Sequence, residues 1–378
     1  MEYIYLDHAA TTPLKSEVLQ EMTPYLTRVF ANADSAHTLG RKAMAAVDGA
    51  RDKIAEILRV KPSEIYFTSG GTEADNWAIK GLAEARGKDK EIFISSVEHA
   101  AVYESANYLK SQGYKVTEIP VNGEGIVDLA FLRERVNQNA SFVAVMLANN
   151  EIGTVQPVKE ICEIASAYGV PVFTDGVQAL PTMQVFPKEL GVSALSFSAH
   201  KIGGPKGVGV LYIKEGTPIG HLFHGGQQER ARRGGTTNVA GVVGIASALA
   251  LTSKNLQAEN EKIKATRDYF IRRVREEIPC ATLNGSPENR VVSNANFTFR
   301  GVGNEAVLHR LDMLGVCASA GSACTSGTLQ PSKTLLAMGL SVQDAKSSIR
   351  FSFGAENTLA EAETVVGFLK QIIGELLA

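Results

Sequence analysis

Residues 64–87 read EIYFTSGGTEADNWAIKGLAEARG: a short β-prone run, a Thr-Ser-Gly-Gly-Thr turn, then apolar residues at helical spacing. The alternation continues down the chain. EIFISSVEH (91–99) precedes the helical AAVYESANYLKSQG (100–113), and SFVAVMLANN (141–150) precedes VKEICEIASAYG (158–169). VPVFTDGVQ (170–178), LSFSAHK (195–201) and GVGVLYIK (207–214) complete the series. Strand and helix at this spacing predict βαβ units and a mainly parallel sheet covered on both faces, an α/β protein. Such sheets bind ligands beyond the carboxyl ends of their strands. The polar residues at those ends are therefore the ones to explain.

At 378 residues the chain exceeds the size at which one core usually suffices, which predicts a large domain and a smaller one. The charged pattern from Asn255 to Ile278 predicts a connecting helix. After it, VVSNANFTFRG (291–301), EAVLHRLDMLG (305–315), SSIRFSFG (347–354) and AEAETVVGFLKQIIGELLA (360–378) predict a smaller α+β domain.

Composition narrows the function. An apolar fraction of 44% with 21% charged residues belongs to an ordinary globular protein, and a net charge of −2 argues against a polyanion-binding surface. No direct nucleic-acid partner is expected. The basic run Glu229-Arg230-Ala231-Arg232-Arg233 reads as support for a phosphate site and solvated surface rather than an RNA patch. MEYIYLDHAATTP lacks the basic-then-apolar pattern of a signal peptide, and no run approaches the ~18 apolar residues that span a bilayer. The expectation is a cytoplasmic protein with no membrane partner. Four cysteines without a CxxC pair exclude a disulfide framework and the usual zinc patterns, so no resident metal is expected.

Three constellations carry chemistry. Thr68-Ser69-Gly70-Gly71-Thr72 ends a strand and opens a helix, where backbone N–H groups, hydroxyls and the helix terminus can hold a phosphate. The same residues also serve as ordinary helix capping. Asp175 ends a buried strand, where a carboxylate needs a cationic partner. Ser198, His200 and Lys201 end the next strand and run into GGPKGVG, whose glycines admit a ligand close to the backbone. A phosphate cup, a carboxylate and an amine on one rim are what pyridoxal phosphate requires: a cradle, a partner for the pyridine nitrogen and a Schiff-base lysine. His99, ending EIFISSVEH, reads as an imidazole stacked on the ring or as a capping residue.

A fourth stretch, ASAGSACTSG (318–327), sets Cys324 among very small residues. By texture it is a flexible surface turn with an incidental thiol; beside a pyridoxal site it becomes a nucleophile on a segment that Gly321 and Gly327 leave free to move. A thiol with an ordinary pKa near ~8.5 is only a few per cent ionised at neutral pH, and His99 is the first candidate for its base.

The motifs YLDHAATTP, FTSGGTEADN, VEHAAV, NNEIGTVQP, TDGVQA, SFSAHKIGGPKGVGVLY, GGQQERARRGGTTN, SAGSACTSG and SSIRFSFGAENT span nearly the whole chain. Together they closely resemble the pyridoxal-phosphate-dependent cysteine desulfurases of the NifS/IscS type, in the class V aminotransferase family of fold type I. The resemblance implies a large cofactor domain at residues 15–255 and a small domain of residues 1–14 and 256–378 carrying the cysteine loop. It makes Lys201 the Schiff-base lysine, Asp175 the partner of the pyridine nitrogen and His99 the stacking imidazole. Asn150 and Gln178 fall on the phenolic oxygen side; Gly71, Thr72, Ser198 and His200 fall on the phosphate. Thr236 corresponds to a threonine reaching the phosphate of a neighbouring subunit, which implies a homodimer. Arg350 matches the arginine that grips the substrate carboxylate, with Asn150 and Asn32 on the substrate side. Cys324 matches the cysteine that takes sulfur from L-cysteine as a persulfide, leaving alanine, and is a candidate transient iron–sulfur ligand.

The implied acceptor is a protein such as an iron–sulfur scaffold, or a tRNA-thiolation or thio-cofactor pathway. Asn32-Ala33-Asp34-Ser35-Ala36-His37 departs from the family's usual Asn-Pro-Ser-Ser-x-His, and Gly176 replaces a usual alanine. Rival readings are a selenocysteine lyase or a small-amino-acid aminotransferase of the same fold, and a non-catalytic sulfur-trafficking adaptor.

Overall fold

The computed structural model describes residues 3–321 and 330–378. In chain order its strands are β1 (Ile4–Tyr5), β2 (Ile65–Thr68), β3 (Glu91–Ser95), β4 (Lys115–Ile119), β5 (Ala140–Ala144), β6 (Val172–Asp175), β7 (Ala194–Ser198), β8 (Gly209–Ile213), β9 (Ala281–Asn284), β10 (Asn294–Phe299), β11 (Val316–Cys317) and β12 (Ser348–Ser352). Seven form a central sheet in the order β2-β8-β7-β6-β5-β3-β4. The β3/β4, β3/β5, β5/β6 and β6/β7 pairs are parallel. Strand β8 runs antiparallel to both β7 and β2. The link from Ser198 to Gly209 is too short for a crossover helix, so the chain can only return reversed.

Strand β4 was not among the sequence expectations. Its KVTEI carries charge and exposure along an edge, unlike the wholly buried β5, β6 and β7. From β4 the chain passes over β3 to reach β5, so the strand order reverses there and a crevice opens beyond the two carboxyl ends. His99 follows β3, and Asn150 follows β5.

Each face of the sheet is covered. Val47, Ile54 and Leu58 of the helix Thr38–Leu58 join Val143, Val145 and Leu195 in one core. Trp77, Ile79 and Leu82 of the helix Gly71–Arg86 join Ile92, Phe142 and Phe173 in the other. Successive strand residues point to opposite faces, which is why Phe142 and Val143 fall in different cores.

A second, antiparallel sheet has the order β12-β10-β9 and pairs Asn296 with Arg350. Behind it Phe270 packs against Phe297, Phe351 and Phe353, with ring centroids 4.9–6.3 Å apart. The helix Leu359–Leu377 covers the same core with Val365, Val366 and Leu369. The N-terminus belongs here too, since β1 pairs in parallel with β11 and Leu6 is buried in this core.

The connecting helix runs Val239–Glu277, not Asn255–Ile278. Its first turns, VAGVVGIASALAL, are apolar nearly all round and carry no amphipathic signal; the Asn238 side chain caps them by accepting from Gly241 N–H at 3.0 Å. By length and composition this helix is apolar enough to cross a bilayer, contrary to the sequence expectation. Its residues Val242, Ile245, Ala246 and Leu249 are instead buried in the core under the large sheet.

Candidate active site

The chain leaves β2 through Ser69 and Gly70 and starts a helix at Gly71. A Cβ on Gly71 would lie 3.0 Å from Val177 Cγ2, so a side chain there would crowd the turn that follows β6, while Ser198 Cβ at the end of β7 would be in ordinary contact at 3.7 Å. Gly209 of β8 is tighter still, because a Cβ would come 2.6–2.9 Å from backbone atoms of Gly70. The turn is thus pressed against the sheet by two glycines. Ser69 N–H donates to Glu73 Oε2 at 2.8 Å, and Arg233 Nε and Nη2 reach the Glu73 oxygens at 2.8 and 2.9 Å. Arg230 Nη2 donates to Ile65 O at 2.8 Å, while Arg51 and Phe67 N–H hold Glu229. The basic run therefore buttresses the turn.

At the bottom of the cavity Asp175 is 4% exposed and accepts from Val177 N–H at 2.8 Å. Asp75, one turn into the helix from Gly71, is 1% exposed and accepts from Ser196 Oγ at 2.5 Å. His99 caps the helix Ala100–Ser111, its Nδ1 accepting from Ala101 N–H at 3.1 Å. One polar atom from each of Asp75, His99 and Asp175 falls within 4.8 Å of the others. Burial, then the charge of Asp175, drives the Asp75 carboxyl well above its ordinary pKa. Burial also raises Asp175, but His99, the Val177 N–H and Lys201 hold it down. The proton of this pair is therefore favoured on Asp75 and the negative charge on Asp175.

Lys201 ends a short turn, Ala199–Lys201, directly after β7. Its Nζ donates to the carbonyls of Ala9 at 2.5 Å and Ala10 at 2.8 Å. Gln178 Nε2 donates to the same Ala9 carbonyl at 2.9 Å. His200 Nδ1 lies 3.1 Å from Thr11 Oγ1; burial, with Lys201 and Lys206 nearby, pushes its pKa down to about 4 and keeps the ring neutral. Arg350, on β12, is 1% exposed. Its Nη2 donates to Asp7 Oδ1 at 2.8 Å and its Nη1 to Asn150 O at 2.9 Å, while Nε is buried without a hydrogen-bond partner among the described residues.

One cavity is lined by Gly71, Thr72, His99, Asn150, Asp175 and Gln178, and by Ser198, His200, Lys201 and Arg350. It thus gathers ten of the residues singled out in the sequence. Two others lie elsewhere. Thr236 is exposed, in an adjoining hollow with Ser69 and Arg233. Asn32 is also exposed, and its side chain is spent within its own turn, accepting from Asp34 N–H at 2.9 Å. Cys324 lies outside the described residues. Sequence reasoning missed Asp75, because nothing in TEADNW marks which of its two acidic residues faces the sheet. It also missed the roles of Asp7 and of the Ala9 and Ala10 carbonyls, although YLDHAATTP was noticed as a motif.

The Aminotransferase class-V family model matches residues 4–365. The chain belongs to the class-V aminotransferase family. Within this family it is 45% identical over 374 residues to the cysteine desulfurase IscS of Dictyoglomus turgidum, covering 99% of this chain and 95% of that one. A solved NifS-like protein superposes with a TM-score of 0.91 at 35% identity, covering 99% of both chains. A structure of SspA in complex with cysteine superposes with a TM-score of 0.83 at 32% identity, covering 94% of this chain and all of that one. The cysteine desulfurases IscS of Clostridium botulinum and Methanosarcina thermophila likewise match this chain nearly end to end, at 43% and 42% identity over 98% and 99% of this chain and 94% and 92% of theirs.

Proposed function

We propose that this protein is a pyridoxal-phosphate-dependent cysteine desulfurase, which converts L-cysteine to L-alanine and holds the sulfur as a persulfide on Cys324. The observation that carries the reading is the convergence of Lys201, Asp175, His99 and Arg350 on one cavity, in a chain whose full-length relatives carry this activity. The residues present suit the cofactor. Gly71 opens a helix N-terminus beside the Thr72 and Ser198 hydroxyls, and a buried carboxyl with a raised pKa becomes a favourable anion once a pyridinium stands beside it.

When bound, the cofactor supplies a carbonyl for the substrate amine and a ring that accepts electrons from the substrate's Cα. Asp175 would keep the proton on the ring nitrogen, helped by an Asp75 that holds its own. The Arg350 guanidinium is already oriented by Asp7 and the Asn150 carbonyl, so binding a carboxylate costs little further ordering. Those two bonds use two of its five N–H donors, and Nε is among those left over. Lys201 Nζ, held between the Ala9 and Ala10 carbonyls, would take the α-proton and return it. The Cys324 thiolate then forms an S–S bond to the substrate sulfur as the C–S bond breaks. The electron pair stays with the carbon fragment, which leaves as alanine after protonation at Cβ.

The sulfur passes to an acceptor protein, an iron–sulfur scaffold being the leading candidate. A homodimer is supported by Thr236, exposed outside its own chain's cavity as expected of a residue serving a partner's phosphate. A cytoplasmic site of action accords with these roles.

The test is Cys324→Ser. This variant should keep the cofactor's absorbance and its exchange of a bound amino acid's α-proton, but lose release of sulfur from L-cysteine. Full turnover in the variant would refute the reading in favour of a lyase or aminotransferase, and a chain that takes up no pyridoxal phosphate would favour a non-catalytic adaptor.

A further inference from the structure

The proposed reaction gives no task to the buried carboxyl of Glu151, which neighbours the cavity-lining Asn150. Glu151 follows Asn150 and is 7% exposed. Its backbone is fixed by its own loop and by β10 of the antiparallel sheet. The N–H donates to Asn149 Oδ1 at 2.8 Å, and the C=O accepts from the Nδ2 of Asn294 and of Asn296, each at 3.0 Å.

Its side chain meets two points that are distant along the chain. Oε2 accepts from the Ser332 hydroxyl, which itself accepts from Leu335 N–H at 3.2 Å and caps the helix Lys333–Ala337. The same Oε2 lies 3.2 Å from where a Cβ on Gly321 would sit, and Gly321 has φ +69. A side chain there would be strained and would push the carboxyl away. Gly321 immediately precedes positions 322–329 and Ser332 follows them by three residues; Cys324 belongs to that interval. Just upstream, Ser319 exchanges both backbone hydrogen bonds with Arg350 and donates its hydroxyl to Asp7 Oδ2 at 3.0 Å. Both approaches to the cysteine are therefore anchored near the cavity, one through Asp7 and the cavity-lining Arg350, the other through Glu151, which follows the cavity-lining Asn150.

We propose that Glu151 is a positioning residue for sulfur transfer, its carboxyl bound by Ser332 and set close beside Gly321, so that it fixes where the Cys324-bearing segment departs and returns. The proposal rests on the assignment of Cys324 as the nucleophile. Fixing both ends of a segment shortens the search of a reactive group carried between them, and small displacements of such groups are costly in rate. Burial raises the Glu151 pKa, while the Ser332 hydroxyl, Arg350 and His99 act against it. The neutral amide of Gln can also accept the Ser332 hydroxyl, so geometry rather than charge is the function assigned.

The test uses the holoenzyme with Glu151→Ala, Ser332→Ala and Glu151→Gln. Two rates are read: release of sulfur from L-cysteine, and exchange of the α-proton of bound L-alanine with deuterated water, which needs Lys201 but no cysteine. Glu151→Ala and Ser332→Ala should each lower sulfur release by about tenfold or more, with exchange and cofactor absorbance within about twofold. Glu151→Gln should recover most of the loss, and the double Ala variant should be little worse than either single one. Unchanged sulfur release in Glu151→Ala, or loss of exchange in parallel with it, overturns the proposal. If Glu151→Ala does not fold, Ser332→Ala removes the same hydrogen bond from a half-buried residue and decides the matter. An unmodified enzyme that exchanges the proton yet forms no Cys324 persulfide would instead overturn the assignment of the nucleophile, and this proposal with it.

Discussion

Glu98 precedes His99 and is buried beneath the cavity. Its Oε1 accepts from Ser95 Oγ at 2.6 Å and Met146 N–H at 2.7 Å, while Oε2 is buried without a hydrogen-bond partner among the described residues. Burial pushes its pKa up from 4.5 to about 8, opposed by those two donors and aided by the charge of Asp175. For a carboxyl the sign follows directly. Below about pH 4.5 it is neutral folded or unfolded and its burial as an ion costs nothing; between there and pH 8 the folded chain keeps a proton the unfolded chain has lost, and stability falls. At about 1.4 kcal/mol per pKa unit the full penalty above pH 8 is on the order of 5 kcal/mol.

Glu98→Gln removes that penalty but sets an amide N–H₂ where Oε2 had no partner, at a cost of about 2 kcal/mol. The variant should then be about 1 kcal/mol less stable than the unmodified protein at pH 5 and about 3 kcal/mol more stable at pH 9. For a chain of this length 1 kcal/mol moves the melting temperature by roughly 1 °C. Thermal melts followed by circular dichroism from pH 5 to 9 should therefore show the difference in Tm changing sign. A difference that stays constant across the range would mean that Glu98 is already ionised in the folded protein, and would refute the reasoning.

Gly209→Ala should press a methyl group into the Gly70 backbone, destabilise the chain by roughly 3 kcal/mol and weaken pyridoxal phosphate binding, as fluorescence titration would show. Asp175→Asn should melt no lower than the unmodified chain above pH 7, because a buried carboxyl with a raised pKa is gone, yet lose about 100-fold or more in single-turnover α-proton exchange. Arg233→Ala strands Glu73 beneath the turn and should cost roughly 2–3 kcal/mol in urea denaturation. Despite burial, Arg233 and Ser69 hold Glu73 below the usual carboxylate range, so this pair's contribution is present above about pH 4.5 and should fade as the pH falls through the lowered value.

Much of this was legible in the sequence because parallel strands are short, apolar and continuous, and stop at a residue with chemistry to do. Asp175 and Lys201 stand out for that reason. Where side-chain type carries no signal, reading fails. The carbonyls of Ala9 and Ala10 hold Lys201 from 192 and 191 residues away, and nothing in two alanines announces it. Asp75 and Glu98 look like ordinary acidic residues until the fold buries them. Asn32 was placed by resemblance to a motif that this chain keeps only in part, and its side chain closes a local turn instead. Strand β4 and the start of the helix Val239–Glu277 fail for opposite reasons, one too polar to look like sheet and the other too apolar to show a face.

That helix of 39 residues, about 58 Å long, lends Val242 and Ile245 to the core under the large sheet and Phe270 and Val274 to the core behind the antiparallel one. Neither core can come apart without exposing half of a rod the other depends on. The two sheets should therefore melt as a single cooperative unit, and a protease able to cut anywhere along that rod would have to wait for the whole molecule to open.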